Sequence, residues 1–258
     1  MTIKPVVFFD FGGTLLDLEG LLSAARQVVG KEFRLPSSKA GEVAALWSRR
    51  TSRRIPWHQG KRFASEKVIA AKTLQEVLLS EGIRIQGSQA SRLVGFVWRL
   101  FEHRAQFCSD VSVQWLARIR DLSSGLGLVT DGDSVETKRL VSRLELGKTF
   151  DSITISQNIR AYKPNRRIYE SALSSINAKP RSSLFVSDSV LDLKGASALG
   201  MATALVRRKG GFGTGLSMPG TAATFELSAI TDLGQILSNQ ARWKVIRRPP
   251  RESKSEHN

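Results

Sequence analysis

The chain has 258 residues, 41% of them hydrophobic, and a formal net charge of +16. That length suits one large domain or a core with a smaller companion, and the single cysteine, Cys108, excludes an internal disulfide and implies a reducing, cytoplasmic setting. No run reaches the roughly 20 apolar residues of a membrane-spanning helix, so no membrane partner is expected, and the positive charge attracts anions in general without choosing among phosphates, nucleic acid and acidic lipid.

Residues 6–9 form a short unbroken apolar run, which predicts a strand buried on both faces. It ends in Asp10 and turns at once on Gly12 and Gly13, so no leader peptide is expected there. Residues 18–103 then read as helical throughout. Leu21, Ala25, Val28 and Val29 share one helical face, as do Val43, Ala44 and Trp47; Ala70, Leu74, Val77 and Leu78; and Leu93, Val97, Leu100 and Phe101. Apolar strand-like runs return at 126–129, 153–155, 184–186 and 202–206. Between them lie helical patterns, one with Val135, Leu140, Val141 and Leu144 on its apolar face and an apparent capping box of Asp133 and Glu136 at its start. Strands alternating with helices predict a doubly wound parallel sheet of the Rossmann-like α/β class. The expected layout is a core of residues 1–17 and 104–238, an inserted α-helical cap of residues 18–103, and a basic, disordered tail of residues 239–258.

In such a sheet, ligands bind beyond the carboxyl ends of the strands. The residues just past the predicted strand ends are Asp10 with Gly12, Gly13 and Thr14; Thr130 with Asp131; Lys163 after a loop; and Ser187, Asp188 and Asp192. Carboxylates, a hydroxyl and a lysine gathered on one edge suit a divalent metal and a phosphoryl group.

The stretches "FFDFGGTLLD", "LVTD", "YKPNRRIYESAL" and "LFVSDSVLDLKGASALGM" occur in that order. Together they resemble the four motifs of the haloacid dehalogenase-like (HAD) superfamily, over about residues 3–237, with a helical insert similar to the cap of its small-molecule phosphatases and L-2-haloacid dehalogenases. The resemblance implies Asp10 as nucleophile, forming an aspartyl-phosphate, and Mg²⁺ on Asp10, Asp188 and the main-chain carbonyl of Gly12. It implies Thr130 and Lys163 as partners of the phosphoryl group, with Gly13 and Asp131 beside it, and Asp192 orienting metal waters or Lys163. A small phosphorylated metabolite is the expected substrate.

Gly12 departs from the pattern. Phosphatases of this kind resemble one another in having an aspartate two residues after the nucleophile as general acid, and its loss removes a factor on the order of 10²–10⁴ in rate. A preference for esters of acidic leaving groups follows, and Asp17 is a distant substitute. Ser187 and Arg160 stand where glycine is frequent. A catalytically weak domain that binds a phosphorylated ligand, nucleic acid or a protein is one alternative; a 2-haloacid dehalogenase-type hydrolase is another, though Asp188 favours metal and phosphate. The basic run Lys39, Arg49, Arg50, Arg53, Arg54, Lys61 and Arg62, with Trp47, Trp57 and His58 among it, reads as a solvated helix face or as a grip on an anionic substrate. The tail cations Arg242, Lys244, Arg247, Arg248, Arg251 and Lys254 suit non-specific contact with nucleic acid, unsupported by any motif.

Overall fold

A computed structural model describes residues 4–208 and 223–239 of the protein. All but Asn239 of the expected basic tail lies outside the described residues. Strand β1 (Val6–Phe9) is followed by four helices, α1 (Glu19–Phe33), α2 (Ser37–Arg54), α3 (Glu66–Ser80) and α4 (Gly87–Arg104). After α5 (Val113–Leu122) come β2 (Gly125–Thr130), α6 (Ser134–Arg143), β3 (Ser152–Ile155), the short α7 (Ser156–Ile159) and α8 (Arg166–Ser175). The chain continues through β4 (Ser183–Ser187), α9 (Val190–Ala198), β5 (Ala202–Val206), β6 (Phe225–Leu227) and α10 (Leu233–Ser238).

The described strands form one parallel sheet in the order β3-β2-β1-β4-β5-β6. Because side chains alternate along a strand, β1 feeds two cores. Val7 and Phe9 join a core with α5, α6, α10 and the inserted helices; Val6 and Phe8 join a second with α8 and α9. A Cβ at Gly127 would stand 2.4 Å from the Phe8 ring, so the glycine makes room for the large side chain on the adjacent strand. The chain leaves β1 toward β2 and β3 on one side, and β4 to β6 lie on the other. The β1–β4 boundary is thus the switch point, where crevices open in sheets of this type.

The four helices between β1 and α5 pack in a ring, α1 on α2, α2 on α3, α3 on α4 and α4 on α1. Trp47 ties two of them by donating its indole N–H to the Ala70 carbonyl at 2.8 Å. No helix among the described residues is long and apolar enough to cross a membrane.

Two details of α6 correct the expectation. Val135 is 54% exposed, and the buried face consists of Glu136, Thr137, Leu140 and Val141. The capping box is absent: Asp133 occupies the N-cap position but makes no cap bond. Its carboxylate instead accepts from the Glu66 and Lys67 amides at 2.8 and 3.0 Å, and Glu136 accepts from Lys67 Nζ at 2.7 Å. The first turn of α3 presents two free amides at the positive end of a helix dipole, and that pair outcompetes a single local amide for the carboxylate.

Candidate active site

Asp10 follows β1 and Asp188 follows β4, on neighbouring strands, so the two carboxylates meet at the switch point. Thr14 bridges them, its Oγ1 lying 3.2 Å from Asp10 Oδ2 and 3.0 Å from Asp188 Oδ1. The same oxygen accepts the Asp188 amide at 3.0 Å. Gly13 has φ +78°, and a Cβ there would lie 2.5 Å from Asp188 Oδ2, so only glycine fits under that carboxylate.

Lys163 is buried and bonds Asp10 Oδ1 on one side and Asp192 Oδ2, at 2.6 Å, on the other. Its amide donates to Asp131 Oδ1 at 3.0 Å. The turn that delivers it begins at Arg160, which closes α7 at φ 54°; the left-handed backbone there gives a physical reason for the glycine preference of that position. Ser187, the last residue of β4, has its hydroxyl 3.4 Å from both Asp10 Oδ2 and Asp192 Oδ2. Thr130 Oγ1 donates to the Asp131 carbonyl at 3.0 Å, so it must rotate to serve a ligand.

One buried cation thus serves several acids. Burial pushes the Asp10 carboxyl up, with Lys163 pulling against it. Burial would lower Lys163, but Asp10, Asp192 and Asp131 hold it well above the usual lysine range. Asp131 is pushed up to about 7, chiefly by burial, and Asp188 to about 7 by burial and then by the charge of Asp10. Among the described residues no three His, Cys, Asp or Glu side chains gather as a metal site. The donors at hand are the two carboxylates joined through Thr14, with Gly12 beside Asp10 on the cavity wall, and two crowded hard-oxygen acids gain from a divalent cation. That chemistry fits magnesium.

The edge opens into a cavity of about 390 Å³ shared with the inserted helices. Asp10, Gly12, Thr130, Asp131, Lys163 and Asp192 line its floor. The helical side is mostly apolar, from Leu18, Leu21, Trp47, Val94, Val97, Trp98 and Phe101, with Ser48, Thr51, Ser52 and Glu66 among them. Thr51 is buried with its hydroxyl unpartnered. A Cβ at Gly12 would meet the Leu18 side chain at 3.3 Å, and φ there is not in the left-handed region. An added side chain at residue 12 is therefore opposed by Leu18 rather than by backbone strain.

The basic run stays out of this cavity. On α2 the residues facing it are Ala44, Trp47, Ser48, Thr51 and Ser52, while Arg49, Arg50, Arg53 and Arg54 are absent from its wall and Arg54 pairs with Glu76 at 2.5 Å. Trp57 is 82% exposed, and His58 Nδ1 bonds the Arg54 carbonyl at 2.9 Å.

The sequence places Thr14 just past the first strand without assigning it a role, and two further contributors carry no signal in it. Arg208 reaches across from the end of β5 to donate to the Gly13 and Thr14 carbonyls at 2.7 and 2.9 Å, braced by Asp110 at 2.8 Å. Glu66 enters from the insert. Neither of the last two carries a motif.

Residues 92–206 match the family model of haloacid dehalogenase-like hydrolases. Over 94 residues the chain is 33% identical to glyceraldehyde 3-phosphate phosphatase of Methanopyrus kandleri, covering 36% of this chain and 40% of that protein's length. The chain thus spans well under two thirds of that relative. The structure of L-2-haloacid dehalogenase from Xanthobacter autotrophicus superposes with a TM-score of 0.73 at 19% identity, covering 92% of this chain and 99% of that one. The HAD-hydrolase YfnB from Bacillus subtilis, bound to magnesium, superposes at 0.71 with 18% identity, covering 91% and 98%. Residues 92–206 thus resemble the haloacid dehalogenase-like hydrolases in sequence, and the chain shares the fold of these solved structures over nine tenths of its length.

Proposed function

We propose that the protein is a Mg²⁺-dependent phosphomonoesterase of the reducing cytoplasm that works through Asp10, with residues 18–103 as a cap over a core of residues 1–17 and 104–238. The observation that carries the reading is the buried Asp10–Lys163–Asp192 bridge beside Asp188, at the floor of the cavity shared with the inserted helices. Magnesium held by Asp10, Asp188 and the Gly12 carbonyl would offset charge on the carboxylates and the phosphoryl oxygens. The Asp10 carboxylate attacks phosphorus, and the bond to the leaving oxygen breaks. Lys163 and Thr130 hold the phosphoryl oxygens, and Asp192 and Ser187 keep Lys163 and Asp10 in register. Water then cleaves the aspartyl-phosphate.

The relatives named glyceraldehyde 3-phosphate phosphatase support phosphate chemistry. The cavity walls point to a different organic group: a small monoester whose alcohol is mainly apolar, with one hydroxyl-bonding group that reaches Thr51. A second reading, 2-haloacid hydrolysis, is favoured by the dehalogenase neighbours and by Ser187, and opposed by the Asp10–Asp188 pair. Phosphate release from a panel of monophosphates and chloride release from 2-chloropropionate, each with and without Mg²⁺, separate the two. Mg²⁺-dependent phosphate release is expected; Mg²⁺-independent chloride release alone would replace the first reading by the second.

A further inference from the structure

The phosphatase reading leaves the leaving oxygen without a proton donor at residue 12. Asp17 cannot supply one: its Oδ1 accepts the Glu19 amide at 2.9 Å, its Oδ2 lies 3.3 Å from Gln106 Nε2, and it is not part of the cavity wall. Resting on that reading, we propose that Glu66, contributed by the helical insert, is the general acid that protonates the leaving group.

Glu66 lies in the first turn of α3 and lines the cavity shared by Asp10, Thr130 and Lys163. Its own amide and that of Lys67 are held by Asp133, which anchors this turn over the loop after β2. Its Oε2 lies 3.7 Å from the position a Gly132 Cβ would take, so the carboxyl stands against the turn that follows Thr130. Tyr162 secures the approach from a second side. Its hydroxyl donates to the Ala64 carbonyl at 2.9 Å, and its main chain exchanges two 3.0 Å bonds with the Gln59 amide group.

The charges around Glu66 favour its protonated form. Burial, then Asp133, Asp131 and Glu136, push it up to about 8. The nearest basic residue on its own helix, Lys67, is committed to Glu136. Of the other raised acids on the wall, Asp10 is the nucleophile, Asp133 is held by the Glu66 and Lys67 amides, and Asp131 is tied to the Lys163 amide at the phosphoryl end of the cavity. Glu66 comes from the side where the organic group must lie.

In the first step Asp10 forms a bond to phosphorus, the P–O bond to the leaving group breaks, and the Glu66 proton passes to that oxygen, releasing the alcohol. In the second step the Glu66 carboxylate takes a proton from water as the water oxygen bonds phosphorus. The P–O bond to Asp10 then breaks, inorganic phosphate leaves, and both carboxyls return to their starting states.

The test compares p-nitrophenyl phosphate, whose leaving group needs little protonation, with hexyl phosphate, whose leaving group needs it fully. Glu66→Gln should lower kcat/KM on hexyl phosphate by ~10²-fold and on the aryl ester by no more than about threefold, with Glu66→Asp recovering part of the alkyl rate. In wild type, kcat/KM on hexyl phosphate should fall as pH rises through about 8, and Asp131→Asn should keep that limb but move it to lower pH, because the Asp131 charge helps hold the proton on Glu66. Stability supplies a readout without turnover. A folded-state carboxyl raised from 4.5 to about 8 stabilises the fold fully below pH 4.5 and loses that contribution as pH rises toward 8, so the wild-type Tm should fall more steeply than that of Glu66→Gln over this window. Equal slowing of both esters, loss of the basic limb in Asp131→Asn, or a wild type active only on the aryl ester would overturn the assignment to Glu66. A wild type inactive on both esters with Mg²⁺ would overturn the phosphatase reading itself. If Glu66→Gln does not fold, a flat wild-type profile on hexyl phosphate above pH 7 overturns the assignment on its own.

Discussion

The two walls of the cavity are built in opposite ways. The sheet edge is crowded with charge: Asp10 and Asp192 flank the Lys163 ammonium, Asp131 accepts the Lys163 amide, and Thr14 joins Asp188 to Asp10. The helical insert presents leucines, valines and aromatic rings, relieved by a few hydroxyls and Glu66. The edge can hold its charges because strand ends and short loops fix them, and each acid is held by a lysine, a hydroxyl or a backbone amide. The insert has no such scaffold of loop amides, and its facing helices bury apolar stripes. The difference suggests a division of labour: reaction at the edge, selection in the insert, with Glu66 assigned to the reaction from the insert side.

The largest effect should come from the edge. Asp10→Asn should lower kcat by ~10⁴-fold or more with the fold intact, measured as phosphate release and by circular dichroism. Lys163→Ala should cost ~10³-fold in kcat, and about 3 kcal/mol in urea unfolding at pH 7, because Asp10 and Asp192 lose the cation between them. An Asp10→Asn protein that retained a tenth of the wild-type rate would end the covalent account.

A smaller effect of mixed sign belongs to the insert wall. Thr51→Val removes a buried hydroxyl that has no partner among the described residues, so unfolding should become harder by ~1 kcal/mol. The same change should raise KM about tenfold for a substrate that bonds this hydroxyl, with kcat unchanged. A fall in stability with no change in KM would show that Thr51 is only packing.

The smallest effect should come from the far side of the same helix. Replacing Arg49, Arg50, Arg53 and Arg54 together by Ala should leave KM within about twofold and cost less than ~1 kcal/mol, since the Arg54–Glu76 pair is exposed. A severalfold rise in KM for anionic substrates would move these cations back into the substrate's path. Weakened binding to a DNA or RNA oligonucleotide, with a shallower salt dependence, would revive the nucleic-acid alternative.

The alternation of apolar runs and helical stripes made the parallel sheet and the helical insert legible before any coordinates, because both patterns report on burial, which each residue type carries with it. The motif acids and Lys163 were legible for a related reason: each follows a strand, and strand ends on a parallel sheet share an edge. What the linear pattern could not resolve was partner choice. Asp133 and Glu136 have the spacing of a capping box, yet they bind the first turn of α3, some 70 residues earlier in the chain. The arginines of α2 and its Trp47, Ser48 and Thr51 lie within one stretch of sequence, and the direction each faces depends on how α2 seats against α1 and α3. Glu66 has no signature at all, because its environment, three acids from the loop after β2 and from α6, exists only once the insert has docked. Burial patterns and strand-end chemistry are local and survive in the sequence. The pairing of charges across the cavity is a property of contact, and only the tertiary structure decides it.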